Sequence, residues 1–216
     1  MTDAAPRANQ CRKPSGWLGR IVLRNMNSRH SGVTDWGLAH FIVGRESIVL
    51  DAGCGGGRTI SKLAIASEGG KVYGIDYSAD SVAVATKINE AAIKAGKVEI
   101  VNGSVSQMPF VADLFDLVTA VETHFFWPDL PNDVREVLRV LKPGGTFVLI
   151  AEVYKGANTV TARLCEKTAP RTGMTLLTLD EHRTLLETAG FREVAVASEP
   201  SKGWVCCIGR KSTSAG

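Results

Sequence analysis

No apolar stretch of the sequence approaches the roughly 20 residues that a membrane-spanning helix needs, so no membrane span is expected. Long runs of lysine or arginine are also missing. The 25 basic residues stand against 22 acidic ones, a net charge of +3, which argues against a protein whose main task is gripping a nucleic-acid backbone. No CxxC pair occurs. The five cysteines, Cys11, Cys54, Cys165, Cys206 and Cys207, are odd in number and irregular in spacing, which speaks against a disulfide framework and against structural zinc. Cys206 and Cys207 are adjacent in an expected strand, so they point to opposite faces as small buried hydrophobes. The opening residues, MTDAAPRANQCRKPSG, lack the apolar core of a secretory signal, and a cytoplasmic location is expected. There is no internal repeat.

What the sequence does contain is alternation. A chain of 216 residues, 44% hydrophobic and 22% charged, suits one α/β domain with a sizeable core. The polar residues 1–14 and 211–216 read as a mobile N-terminus and a mobile tail, leaving 15–210 as a single domain. Within it, residues 16–43 read as two helices broken near SRHSGVTD. The first carries Trp17, Leu18, Ile21, Val22 and Met26 at helical spacing. Ser31 or Thr34 caps the second, which buries Trp36, Phe41 and Ile42.

Strands are expected at Ser47–Asp51, Lys71–Asp76, Val98–Asn102, Phe115–Val121 and Thr146–Glu152. Helices are expected at Arg58–Ala66, from Ser78 to about Gly96, and at Asp129–Leu141, ended by Pro143 and the Gly144-Gly145 pair. Thr178-x-x-Glu181 is a capping box opening a helix that runs to Gly190. Phe191–Ala197 and Gly203–Ile208 read as an antiparallel pair at the sheet edge. Continuous apolar strands alternating with helices imply a Rossmann-like, mostly parallel seven-stranded sheet with helices on both faces. Ligands of such sheets bind at the carboxyl ends of the strands, at the switch point in strand order.

The stretch SIVLDAGCGGGRTISKLA occupies that position. Gly53, Gly55 and Gly57 form G-x-G-x-G, with Arg58 where the dinucleotide pattern has its third glycine. A strand precedes the loop, a helix follows, and an acid, Asp76, ends the next strand. A carboxylate there can accept hydrogen bonds from vicinal ribose hydroxyls, so loop and acid together point to an adenosine-like cofactor.

Four segments, VLDAGCGGG (Val49–Gly57), VYGIDYS (Val72–Ser78), FDLVTAVET (Phe115–Thr123) and LKPGGTFVLI (Leu141–Ile150), resemble the successive motifs of class I S-adenosylmethionine-dependent methyltransferases. The whole is most similar to the small single-domain branch that includes ubiquinone/menaquinone-type enzymes. The resemblance implies S-adenosylmethionine as cofactor, a small-molecule methyl acceptor as partner, residues 15–45 as a helical lid and 153–178 as an insert shaping the acceptor pocket. It implies that Ala52, Gly53, Cys54 and Gly55 face the methionine part, that Asp51 holds the amino group, that Asp76 holds the ribose and that Tyr77 lies against the adenine. Ser104 and Val105 stand where the family often has an aspartate for the adenine amino group; that departure leaves the contact weaker or moves it to Gln107 or to backbone. Glu122 ends the fourth strand, beside the expected sulfonium.

For several residues the sequence leaves two readings. Asp51 holds the cofactor or caps its own loop. Glu122 contacts cofactor or substrate, or pairs with Arg20 or Arg24. His124 is a general base or a loop histidine ordering its neighbours; His30 is a lid-borne base or sits at a helix terminus. Phe125, Phe126 and Trp127 wall the acceptor pocket or pack the next helix. Arg163, Lys167 and Arg171 read an acidic group on the substrate or form a solvated face. Against methyl transfer stands a regulatory or degenerate protein that binds the cofactor without turnover. The G-x-G-x-G spacing and LKPGG disfavour a nicotinamide enzyme, and ETHF in place of an NPPY-type tetrapeptide disfavours nucleic acid as acceptor.

Overall fold

The computed structural model describes residues 31–213. The first expected helix, the lid before Ser31, His30, Arg20 and Arg24 lie outside these residues.

A seven-stranded sheet is built from β1 (Ile48–Ala52), β2 (Lys71–Asp76), β3 (Val98–Asn102), β4 (Phe115–Val121), β5 (Leu141–Ala151), β6 (Arg192–Glu199) and β7 (Trp204–Arg210). The strand order is β3-β2-β1-β4-β5-β7-β6. The first five strands are parallel, and β7 pairs antiparallel with both β5 and β6. The expected edge pair is therefore present, with β6 outermost. The strand order reverses between β1 and β4, so their carboxyl ends form the switch point.

Helices α1 (Ser31–Leu38), α2 (Arg58–Ala66), α3 (Ala79–Ile88), α4 (Glu90–Lys94), α5 (Leu130–Val140), α6 (Val160–Thr172) and α7 (Leu179–Ala189) complete the described chain. Period-2 alternation in the strands sorts the core into two faces. On one, Val49, Val72, Leu117, Val148 and Ile150 pack with Ile60 and Leu63 of α2, Ala85 of α3 and Val33 of α1. On the other, Leu50, Phe115, Val118, Phe147 and Leu149 pack with Leu130, Val134 and Val137 of α5 and Leu186 of α7. Cys206 belongs to the first face and Cys207 to the second. Burial pushes both thiols up to about 12, so they are inert packing groups.

Several boundaries differ from the sequence reading, each for a local reason. Helix α1 is described from Ser31 on, and Thr34 is buried inside it rather than capping it. Ile42 follows the helix and is 95% exposed, so its expected burial is not realised. The long helix expected after Ser78 is split at Asn89, a buried side chain whose Nδ2 donates to Ala85 O at 2.9 Å and to Gly57 O at 3.0 Å. Strand β5 starts five residues early. Leu141 pairs with Phe115, the register then shifts, and Thr146 pairs with Leu117. Lys142–Gly145 thus forms a bulge inside the strand, where Pro143 need not donate and Gly144 takes φ +79°. Lys211, assigned by sequence to a mobile tail, continues the β7 ladder through backbone hydrogen bonds with Gly144 and Gly145.

The capping box is realised in full. Thr178 Oγ1 accepts from Glu181 N, Glu181 Oε2 accepts from Thr178 N, and Gly190 ends α7 in the left-handed region.

Candidate active site

The loop Gly53–Gly57 leaves the end of β1 and is held against β2. Gly53 and Cys54 both donate to Ile75 O, at 2.8 and 3.0 Å, and Gly57 donates to Cys54 O. All three motif glycines have positive φ, yet space requires glycine at only two of them. A Cβ at Gly53 would stand 2.1 Å from Thr123 Oγ1, and one at Gly57 would stand 2.8 Å from Ala85 Cα. At Gly55 a Cβ would meet nothing within 4 Å. Two glycines thus serve the protein's own packing, while the third is favoured by its φ of +51° and borders open space.

Asp76 closes one side of this space. Its Oδ2 accepts from Gly55 N and its Oδ1 from Ser78 N, each at 2.9 Å. Burial raises its pKa, while the two backbone donors pull it down. The Ser81 side chain also hydrogen-bonds this carboxylate and lowers its pKa. Tyr77, the next residue, is 46% exposed, an aromatic ring left on the surface beside the open loop.

Asp51 lies deeper, 2% exposed, facing Thr119 across the β1–β4 pairing. Thr119 Oγ1 donates to Asp51 Oδ1 at 2.8 Å. Burial raises the Asp51 carboxyl to about 7; the Thr119 bond opposes this and nearby Asp76 adds to it. Cys54, also buried, has its thiol pushed up by burial and by both carboxylates, so it stays protonated.

At the end of β4, Glu122 adopts φ +58°, a strained backbone for a residue with a side chain. Its backbone N–H donates to Ile150 O, and its carboxylate accepts from Glu152 N, clamping the ends of β4 and β5 together. Ser104 accepts from Ser106 N at 3.1 Å, closing its own turn. Val105 is buried in the core and Gln107 is exposed, the latter donating its backbone N–H to Ser104 O.

The expected general base is buried. His124 is 1% exposed and sits in a short 3-10 turn, His124–Phe126. Its Nε2 is 3.3 Å from Nε2 of His182, which is itself fully buried on α7. His182 Nδ1 lies 2.7 Å from Thr178 O. A carbonyl only accepts, so His182 carries its proton on Nδ1, and His124 must donate from Nε2. The remaining His124 nitrogen, Nδ1, is buried with no hydrogen-bond partner among the described residues. Burial lowers both histidine pKa values. Of the two readings of His124, burial against His182 favours a histidine that orders its neighbours, as one half of a buried neutral pair. Phe125 and Trp127 are buried as well, the latter stacked on Phe147 with 6.4 Å between ring centroids, so both pack the interior.

This pair carries a stability prediction. Two histidines whose folded pKa values lie below the unfolded value of about 6.5 stabilise the fold fully above that pH. The contribution is lost as the pH falls below it. Asp51 and Asp76, raised by burial, contribute with the opposite slope, so the comparison must be internal. The double variant His124→Phe/His182→Leu is expected to lose less stability between pH 7 and pH 5 than the parent. Parallel urea titrations check this, and equal acid losses would refute it.

Three supporting residues were not legible as site residues. Thr119 reads as an ordinary strand residue, Thr123 as a loop residue and Asn89 as a helix-interior polar residue. Their partners, Asp51, Gly53 and Gly57, are 68, 70 and 32 positions away, beyond any local pattern.

The chain is similar to known methyltransferases. Residues 50–149 match the methyltransferase domain family. The chain is 32% identical over 163 residues to the sterol 24-C-methyltransferase of Aspergillus fumigatus, covering 71% of this chain and 42% of that protein. It is 34% identical over 105 residues to the demethylmenaquinone methyltransferase of Bacillus mycoides, covering 48% of this chain and 44% of that one. A SAM-dependent methyltransferase structure from Aquifex aeolicus superposes with TM-score 0.68 at 21% identity, over 88% of this chain and 96% of the other. Residues 50–149 are thus similar to a methyltransferase domain, as the four sequence motifs imply, and the fold is that of the Aquifex structure. The chain spans less than half the length of the two relatives named.

Proposed function

We propose that this protein transfers a methyl group from S-adenosylmethionine, in line, to a small and largely apolar acceptor. The observation that carries the reading is Gly55. Its φ of +51° favours glycine, no protein neighbour stands within 4 Å of a Cβ placed there, and its N–H donates to the ribose-competent carboxylate of Asp76, which is followed by an exposed aromatic ring. In this reading Asp76 takes the ribose hydroxyls, Tyr77 covers the adenine, Ala52–Gly55 lie along the methionine part, and Asp51 faces its ammonium. Ser104, Val105 and Gln107 offer backbone groups to the adenine edge, and Glu122 stands beside the reacting end. The cofactor supplies a methyl group activated on a sulfonium.

The chain's share of catalysis is then positioning. Holding the acceptor atom near the methyl and collinear with the departing sulfur removes much of the barrier. Glu122 is the catalytic candidate favoured here, in a strained conformation at the strand ends. An apolar acceptor is the class suggested by the names of the relatives, a sterol and a demethylmenaquinone methyltransferase. The non-catalytic alternative has no feature of the site in its favour. Turnover of methyl-labelled cofactor with a panel of quinone, sterol and phenol acceptors tests the reading. Label in an organic-soluble product supports it, and binding without transfer to any acceptor would favour the regulatory alternative.

The Asp51 environment gives a second expected result. A carboxyl near 7 is half protonated at neutral pH, and a ligand ammonium selects its ionised form. Cofactor affinity is expected to rise about tenfold per pH unit below 7 and to level off above it. Thr119→Val removes the bond that favours the carboxylate, so the plateau should move to higher pH, with Thr119→Ser restoring it. Calorimetry across pH 5.5–8.5 decides; an identical profile in Thr119→Val would remove Asp51 from the ammonium site.

A further inference from the structure

Helix α6 shows an inverted face. Its alanines point inward, with Ala162 fully buried, while Val160 is 82% and Leu164 60% exposed. At 100° per residue, Val160, Arg163, Leu164, Lys167 and Arg171 fall within one arc of about 100°, opposite Ala162. Among the described residues, Lys167 and Arg171 make no ion pair, and Arg163 donates to Asn158 Oδ1. Glu166, the acid of this helix, falls outside the arc, and its carboxylate accepts from Gly156 N at 2.7 Å. The exposed face therefore joins two aliphatic side chains to three cations.

Charge decides what can cover it. A second copy meeting it face to face would bring the same three cations against it. The segment before Ser31 is no better matched, carrying six basic residues, Arg7, Arg12, Lys13, Arg20, Arg24 and Arg29, against Asp3. A complementary surface is anionic and accepts aliphatic groups between its charges. An anionic bilayer interface has both properties.

We propose that α6 is a membrane-surface contact. Val160 and Leu164 enter the acyl boundary of an anionic leaflet, and Arg163, Lys167 and Arg171 meet its headgroups. The attachment is peripheral and reversible, since no helix among the described residues is long and apolar enough to cross a bilayer. It stands whether or not methyl transfer is the activity. The same N-terminal basic segment adds to the attraction.

The test is co-sedimentation of the full chain with phosphatidylcholine vesicles, with and without phosphatidylglycerol. Binding is expected only to the anionic vesicles and should weaken with added salt. Val160→Ser/Leu164→Ser should lower partitioning at least tenfold, and Arg163→Gln/Lys167→Gln/Arg171→Gln roughly a hundredfold. Both changes lie on solvent-facing positions, so circular dichroism and melting temperature should stay at parental values. Failure of the parent to bind anionic vesicles overturns the proposal. So does binding that both variants retain, which would assign it to another surface. A concentration-dependent dimer abolished by Val160→Ser/Leu164→Ser would also overturn it, in favour of a protein partner.

Discussion

Replacing Asp76 by alanine is expected to weaken S-adenosylmethionine binding about a hundredfold. Two losses combine. The carboxylate that would meet the ribose disappears, and hydrogen bonds to a charged group contribute roughly 1.5–3 kcal/mol each. The loop also loses its anchor, because the N–H groups of Gly55 and Ser78 both donate to this side chain. Asp76→Asn separates the two effects: its amide oxygen can retain one loop contact while the charge is gone. Competition against labelled cofactor measures both variants. Parental affinity in Asp76→Ala would remove this acid from the site.

The second large effect distinguishes glycines that serve the fold from the one that serves the ligand. Gly53→Ala forces a Cβ to 2.1 Å from Thr123 Oγ1 in a backbone with φ +77°. A left-handed residue costs about 1–2 kcal/mol, and Thr123, whose Oγ1 also accepts from Trp127 Nε1, must move. A loss of roughly 3 kcal/mol is expected, or about 6–12 °C in melting temperature for a domain of this size. Gly55→Ala meets no neighbour and should cost stability only about 1 kcal/mol for its positive φ. Its methyl group nevertheless projects into the open space, so cofactor affinity should fall at least tenfold in a protein that is nearly as stable. Calorimetric melting and ligand titration of the two variants check the contrast. Equal stability losses and unchanged binding in Gly55→Ala would show that the space holds no ligand.

Much of the fold was legible because its signals are local. The ranges of α2, β2, β3 and β4 follow from apolar runs bounded by glycine, proline and capping residues. The capping box at Thr178 and the cap at Ser78 are four-residue patterns. The edge pair β6 and β7 followed from two strand-like runs with little between them. What failed depended on distant partners. Asn89 interrupts its helix because Gly57 and Ser61 take its side chain. The bulge in β5 exists because Phe115 pairs with Leu141 ahead of the register shift.

The same division runs through the site. The glycine loop and Asp76 are visible as motif and strand end. His124 looked like a base because chain position places it after β4; only the packing of α7 shows His182 against it and removes it from solvent. The exposed apolar face of α6 was hidden for a similar reason. The cations were readable in the sequence, but which way Val160 and Leu164 face is fixed by the burial of Ala162.

The central claim is that the loop Gly53–Gly57 and Asp76 hold S-adenosylmethionine. Calorimetric titration of the full chain with S-adenosylhomocysteine at pH 8, where Asp51 is ionised, tests it most directly, because the product analogue cannot turn over. One-to-one binding in the micromolar range, lost in Asp76→Ala, is the predicted result. A folded protein that takes up neither S-adenosylhomocysteine nor S-adenosylmethionine would contradict it.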